Sequence, residues 1–154
     1  MRFYGWDPEH PANIKLGQAI SDREIPFETR PYMGHADFRT SLEELAVGVQ
    51  IIHPDVPFSQ GKSFGKILNY LDAAVPVIAT DAVDHPRLFD HGKDGLVLPH
   101  DVEQWATAIL DLLNDPDRRQ AIADAGKEKM RAKLSLDEIA RQMGEHCESV
   151  ISRN

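Results

Sequence analysis

The chain carries one cysteine, Cys147, in 154 residues. That excludes an internal disulfide and a cysteine-built metal centre. The thiol falls on the apolar stripe of an expected C-terminal helix, so we expect it packed rather than nucleophilic. Long hydrophobic runs are also missing. No stretch approaches the roughly 20 apolar residues that a membrane-spanning helix needs, and no leader pattern opens the chain. The expectation is a cytoplasmic protein without a transmembrane segment. Positive charge is scarce: 17 Lys and Arg stand against 25 Asp and Glu, for a net charge of −8. Nucleic acids and anionic membranes select a basic face, so neither is expected as a partner. The seven histidines show no tight ligand spacing. There is no His-Glu-x-x-His, no Ser-His-Asp arrangement, and no Asp-x-Asp that we read as a metal-holding pair. No metal is therefore expected, and His53 and His85, near strand ends, are read first as structural. Repeats and low-complexity tracts are absent.

What is present centres on Gly61 to Asp81, GKSFGKILNYLDAAVPVIATD. Phe64, Ile67, Leu68, Leu71 and Ala74 recur at helical spacing and form one apolar stripe. Val75 to Ala79 follow as an uninterrupted apolar run, the pattern of a parallel strand covered on both faces. Asp81 then falls at the carboxyl end of that strand, where open α/β sheets place ligands. A loop that opens a helix turns free backbone N–H groups and the positive end of the helix dipole toward whatever lies in front of it. Such a site suits a phosphate or pyrophosphate. Gly61, Lys62, Ser63, Phe64, Gly65 and Lys66 form that loop and first turn, with two lysines to neutralise phosphate oxygens. Gln60-Gly61-Lys62-Ser63 also imitates the end of a P-loop. A P-loop, however, needs glycine where Val56 stands, and Pro54 and Pro57 stiffen the segment.

The rest of the chain alternates strands and helices. Residues 1–6 read as a strand, Asn13 to Ile20 as a short helix, and Pro26 to Tyr32 as a second strand. Gly34 to Thr40 reads as a loop, and Ser41 with Glu44 as a capping box for a helix through Val47. Val49 to His53 is a third strand, Pro54 to Lys62 a loop, 63–75 a helix and 76–80 a strand. A turn near Pro86 to Asp90 leads to the strand Leu96-Val97-Leu98. Asp101 and Gln104 cap a helix whose expected buried stripe is Val102, Trp105, Ala106, Ile109, Leu110 and Leu113. Asp115-Pro116 ends it and starts the next, with Asp as N-cap and Pro at the first helical position. Ser135 and Glu138 cap a final helix with the stripe Leu136, Ile139, Ala140, Met143, Cys147, Val150 and Ile151. The order implies a Rossmann-like α/β domain: a parallel sheet, right-handed crossovers, helices on both faces and a helical C-terminal tail. Its length fits a single domain, 1–154.

At this point the residues resemble a family. Lys66-Ile67-Leu68-Asn69-Tyr70-Leu71 and Pro76-Val77-Ile78-Ala79-Thr80-Asp81 are similar to the nucleotide-sugar-binding half of group 1, retaining-type GT-B glycosyltransferases. There the pattern is an apolar helix followed by Lys-Pro-Val-Val-Ala-Thr-Asp. Leu88 to Pro99 resembles the family's Val-Glu-Asp-Gly-Lys-Thr-Gly-Leu-Leu-Val-Pro segment, and Asp101 to Pro116 its helix ending in Asn-Asp-Pro. Leu42 to Leu45 and Ile51 to Pro54 resemble the helix and strand before the donor loop. The likeness runs from about residue 40 onward, and more loosely before it.

The resemblance implies a donor-binding domain that holds a nucleotide diphosphate sugar as substrate, with no cofactor and no metal. It implies transfer of a hexosyl group to an acceptor held by a second, N-terminal domain. The family's two acidic residues fall on Gly61 and Asn69. The first contacts the donor sugar and the second the ribose hydroxyls, so Asn69 would keep the ribose contact as an amide. The loop after the second strand approaches the base, which would place Arg30 and Tyr32 there. On its own residues, Tyr32 reads first as a half-buried aromatic. Met1 to Trp6 resembles the family's second strand, so we expect this chain to be a fragment without the first strand and the acceptor domain, and inactive alone. Two alternatives stand: a non-catalytic GT-B-like domain that has lost donor binding, and a P-loop-like nucleotide-binding protein.

Overall fold

The computed structural model describes residues 1–53, 55–62 and 64–152, with Gln60 described through its backbone. The chain divides into two compact units, the first ending at Thr40 and the second beginning at Ser41.

In the first unit, β1 (Arg2–Tyr4) pairs in parallel with β2 (Glu28–Arg30), Arg2 opposite Glu28. Arg2 and Glu28 are also ion-paired across the strands. The crossover is α1 (Pro11–Ser21), with Pro11 in its first turn and the His10 ring accepting the Ala12 N–H. Proline suits that position because its missing N–H would have no helical partner there. Phe3, Trp6 and Phe27 meet with ring centroids 5.4 to 6.1 Å apart and make an aromatic core.

The expected loop at Gly34–Thr40 is instead α2 (His35–Leu42). Phe38 explains it: the ring packs edge-on against Tyr4 at 5.2 Å, and its N–H returns to Gly34 O. Ser41 therefore lies in the last turn of α2, and the helix expected from Ser41 to Val47 does not form. Leu42 is fully buried, and Leu45 N–H closes a turn onto its carbonyl.

The second unit holds the strands β3 (Gly48–Gln50), β4 (Val77–Thr80) and β5 (Leu96–Leu98), parallel and in that spatial order. A helical turn, α3 (Pro57–Gln60), breaks the expected loop, and α4 (Gly65–Asp72) leads into β4. The short α5 (His85–Leu88) follows β4. After β5 come α6 (Val102–Asn114), α7 (Pro116–Leu134) and α8 (Leu136–Ile151). All four β4 residues are buried, and they serve two cores. Val77 and Ala79 pack with Ile67, Leu71 and Phe89 on one face. Ile78 packs with Leu96, Leu98, Ala108, Leu112 and Ile122 on the other. Helices thus cover both faces of a parallel sheet, and the uninterrupted apolar run of β4 follows from that.

Two stripes differ from expectation. In α6 the buried residues are Ala108 and Leu112, flanked by half-buried Trp105 and Ile109, while Val102, Leu110 and Leu113 are exposed. The Trp105 indole N–H donates to Pro99 O at 2.8 Å, which fixes the rotation of the helix. In α8 no residue is buried; Leu136 is 85% exposed and Cys147 is exposed rather than packed. The caps hold: Asp101, Asp115 and Ser135 each accept the N–H three residues on.

One clamp joins α7 to the turn before β5. Lys129 Nζ reaches Asp94 at 2.8 Å and Asp90 at 3.2 Å, and Asp94 is only 4% exposed. The hydrogen bond from Lys129 holds the Asp90 carboxyl below its ordinary range. Burial alone would lower the Lys129 ammonium, but its bonds to Asp94 and Asp90 outweigh that and raise it.

Candidate functional site

The start of α4 is placed by its own apolar face. Ile67 and Leu71 are buried against Val77 and Ala79, and Phe64 packs at the edge of that cluster. Tyr70 lies flat against β3, where a Cβ on Gly48 would come within 2.6 Å of its ring. Glycine at position 48 is what lets the helix approach the strand so closely. Ile67 and Leu68 N–H both return to Phe64 O, at 2.9 and 3.3 Å. The Gly65 and Lys66 amides are then the leading, unpaired donors of the helix among the described residues. This is the geometry that favours an anion in front of a helix.

Lys66 is exposed, and Asn69 is half-buried one turn on. Asn69 Nδ2 leans back to Gly65 O at 3.4 Å, which leaves Oδ1 as an acceptor for a hydroxyl. Gly65, Lys66 and Asn69 therefore share one end of one helix. Gly61 caps α3 at φ −84°, and a Cβ there would meet nothing nearer than Phe58 O at 3.8 Å. Glycine is not demanded by the backbone at this position. The Lys62 ammonium lies 5.1 Å over the exposed Phe58 ring. Contacts of this kind at exposed sites contribute only about 0.5–1 kcal/mol, so Lys62 remains free to turn toward a ligand. Phe64 gives the site its backbone, since its ring is committed to the core. Ser63 lies outside the described residues. Where a P-loop would need open backbone, Pro57–Gln60 winds into a helical turn.

Arg30 and Tyr32 belong to the first unit. Arg30 pairs with Glu28 at 3.5 Å, and Tyr32 is 91% exposed, not half-buried. In the second unit Thr80 and His85 knit the carboxyl ends of the strands. Thr80 Oγ1 accepts Ile52 N–H at 2.9 Å and lies 3.4 Å from Gln50 O. His85 is fully buried, with Nδ1 2.8 Å from Thr80 O and no partner for Nε2 among the described residues. Beside them Asp81 is exposed, its own N–H bound to Leu98 O at 2.6 Å. The rings of His53 and His100 meet at the same end of the sheet, and sequence reasoning did not single out His100. The signal was there: each histidine falls two or three residues past a strand end. Asp115-Pro116-Asp117 is an Asp-x-Asp in letters only, because Asp115 is the N-cap of α7. No group of three or more potential metal ligands is gathered among the described residues, and no described helix is long and apolar enough to cross a membrane.

The comparisons with known proteins agree with this architecture. A family described as Glycosyl transferases group 1 matches residues 31–115, more than half of the chain. A GDP-mannose-dependent alpha-(1-6)-phosphatidylinositol monomannoside mannosyltransferase of Mycobacterium tuberculosis is 36% identical over 74 residues, 47% of this chain and 19% of that protein. A D-inositol 3-phosphate glycosyltransferase of Thermobispora bispora is 32% identical over 89 residues, 56% of this chain and 21% of that protein. Among solved structures, the sucrose-phosphate synthase of Thermosynechococcus elongatus superposes with a TM-score of 0.77 at 18% identity, covering 99% of this chain and 39% of that one. Anabaena Alr3699/HepE in complex with UDP-glucose gives 0.76 at 16% identity, with 96% and 40% covered. Such structural likeness speaks for the fold. The matches span about a fifth of those curated relatives and about two fifths of those solved chains.

Proposed function

The chain belongs to the glycosyl transferases group 1 family, and from that membership we propose that it is the nucleotide-sugar-binding half of a two-domain hexosyltransferase. The observation that carries this reading is the open start of α4, with the Gly65 and Lys66 amides leading and Asn69 one turn behind. A nucleotide diphosphate sugar would set its diphosphate before these amides, with Lys66 and Lys62 as counter-charges, and a ribose hydroxyl against Asn69 Oδ1. Arg30 and Tyr32 are the proposed contacts to the base.

In the transfer, the bond between the sugar C1 and the diphosphate oxygen breaks, and its electron pair leaves on the diphosphate. An acceptor hydroxyl oxygen bonds to C1 and gives up its proton. The contribution of this chain is to position the donor and to stabilise the charge growing on the leaving group, by fixed amides and lysines. The acceptor domain would come from outside the chain. The share of its relatives' length that the chain spans, about a fifth to two fifths, supports that part of the reading.

An NMR titration with UDP, GDP and ADP tests the site. The expected result is amide shifts concentrated at Gly65, Lys66 and Asn69. Shifts elsewhere, or none at millimolar ligand, would favour the second reading, a GT-B-like domain that has lost donor binding. The absence of any side chain at Gly61 is the observation on its side.

A further inference from the structure

We propose that Asp81 is the donor site's contact to the hexose, its carboxylate accepting hydrogen bonds from sugar hydroxyls, and that the buried His85 is the positioning residue that holds it there. The proposal rests on the donor-binding reading above. β3 and β4 are parallel neighbours, with Gln50 opposite Ala79, so their carboxyl ends emerge side by side. β3 runs on into the loop that opens α4, and β4 runs on into Asp81. The two ends are tied together, because Ile52 N–H, at the start of that loop, donates to Thr80 Oγ1 at 2.9 Å. Asp81 therefore flanks the loop that leads to Gly65 and Lys66 without belonging to it.

The chemistry of Asp81 selects the sugar. Its side chain is exposed and forms no hydrogen bond or ion pair with another described residue. A carboxylate only accepts, and its two oxygens match two hydroxyl donors on a sugar ring. Hydrogen bonds to a charged acceptor are the stronger kind. Phosphate oxygens repel the same charge, so the diphosphate is disfavoured as its partner. The ribose is assigned to Asn69 in the proposed pose, which leaves the hexose.

The backbone at Asp81 is fixed on both sides. The peptide that joins Thr80 to Asp81 donates its N–H to Leu98 O at 2.6 Å. Its carbonyl accepts the Ala82 N–H at 2.8 Å and faces His85 Nδ1 at 2.8 Å. A carbonyl cannot donate, so the His85 proton resides on Nδ1 and Nε2 is the bare nitrogen. That nitrogen meets no donor among the described residues, on a side chain that is fully buried. An unfilled buried acceptor costs stability, so an apolar side chain would serve packing better. What histidine adds at this position is the bond to the carbonyl just before Asp81. Two residues past Asp81, Val83 holds a left-handed φ of +49° despite its β-branched side chain. Strain of this kind persists where the surroundings over-determine the backbone, and it gathers at ligand sites.

The test compares calorimetric titrations of the chain with UDP and UDP-glucose, and with GDP and GDP-mannose. If the unaltered chain binds no diphosphate, the donor-binding reading fails and this proposal with it. Where a diphosphate and its sugar ester both bind, Asp81→Ala should weaken the sugar ester by about tenfold and leave the diphosphate unchanged. His85→Leu should give the same selective loss. His85→Asn, whose amide N–H falls near the place of Nδ1–H, should restore much of the affinity, whereas a packing role alone would favour leucine. Amide spectra of each variant report folding. Unaltered affinity for the sugar ester in Asp81→Ala, or equal losses for both ligands, overturns the contact. Unaltered affinity in His85→Leu overturns the positioning role.

Discussion

Gly126 lies where α7 presses on the turn before β5. A Cβ there would stand 2.7 Å from Asp94 O and 2.8 Å from Leu71 Cδ2. Backbone on one side and a buried leucine on the other leave little room to relax. Gly126→Ala should therefore destabilise the protein by about 1–3 kcal/mol, the usual range for overpacking, despite alanine's better helix propensity. A denaturant titration measures it, and an unchanged midpoint would mean that α7 yields at this crossing. Lys66 makes the opposite kind of prediction. It is exposed, so Lys66→Ala should alter stability by no more than about 0.5 kcal/mol. If it pairs with a diphosphate, the same change should weaken nucleotide diphosphate binding by about 1–3 kcal/mol and leave the bare nucleoside unaffected. Asn69→Ala should weaken both ligands alike. Equal losses for both ligands on removing Lys66 would move the diphosphate away from α4.

The elements add two predictions. The helix α4 ends in a left-handed residue that is not glycine: Ala74 has φ +53°, while its N–H returns to Leu71 O and the Val75 N–H to Tyr70 O. This is a Schellman-like cap, a position where glycine avoids the Cβ clash. Ala74→Gly should stabilise the chain by about 1 kcal/mol in thermal or denaturant unfolding. A loss of stability would show that the Ala74 methyl packs usefully. At the start of α8, hydrogen bonds from Arg141, and then from Gln142, hold the Glu138 carboxyl down to about 2. The folded group is the stronger acid, so its contribution is fully present above the unfolded value near 4.5. It is lost as pH falls toward 2. Asp90 and Glu28 are depressed in the same direction by Lys129 and Arg2. The melting temperature should fall from pH 4.5 to pH 2, and less steeply in Glu138→Gln. Parallel curves for the two proteins would remove Glu138 from the account.

For the whole molecule the prediction is about activity. The chain spans about two fifths of the solved structures that share its fold. We predict that the purified 154-residue chain transfers no sugar from a nucleotide sugar to any acceptor, because in the proposed reading a second domain holds the acceptor. Detected product in a radiolabelled transfer assay would refute it. The apolar, exposed stripe of α8 belongs to the same scale: a surface that local structure builds and that the described residues leave open.

Several features of the fold and the site were legible in the sequence because contiguous residues encode them. The apolar runs of α4 and β4, the caps at Asp101, Asp115 and Ser135, and the open glycine-bearing start of α4 all follow from spacing within a few residues. So did the family, since its likeness lies in an ordered series of such short pieces. Other features were settled by residues far apart in the chain. Phe38 wound Gly34–Thr40 into helix by meeting Tyr4 from another element. Trp105 rotated α6 by bonding to Pro99 O, so Leu112 rather than Leu113 became core. In α8 the spacing of Leu136, Met143 and Cys147 makes a stripe, but not the buried one that the pattern predicts. Periodicity states which side of a helix is apolar. Whether anything covers that side is a property of the packed molecule, as is the meeting of His53 and His100 across the ends of two strands.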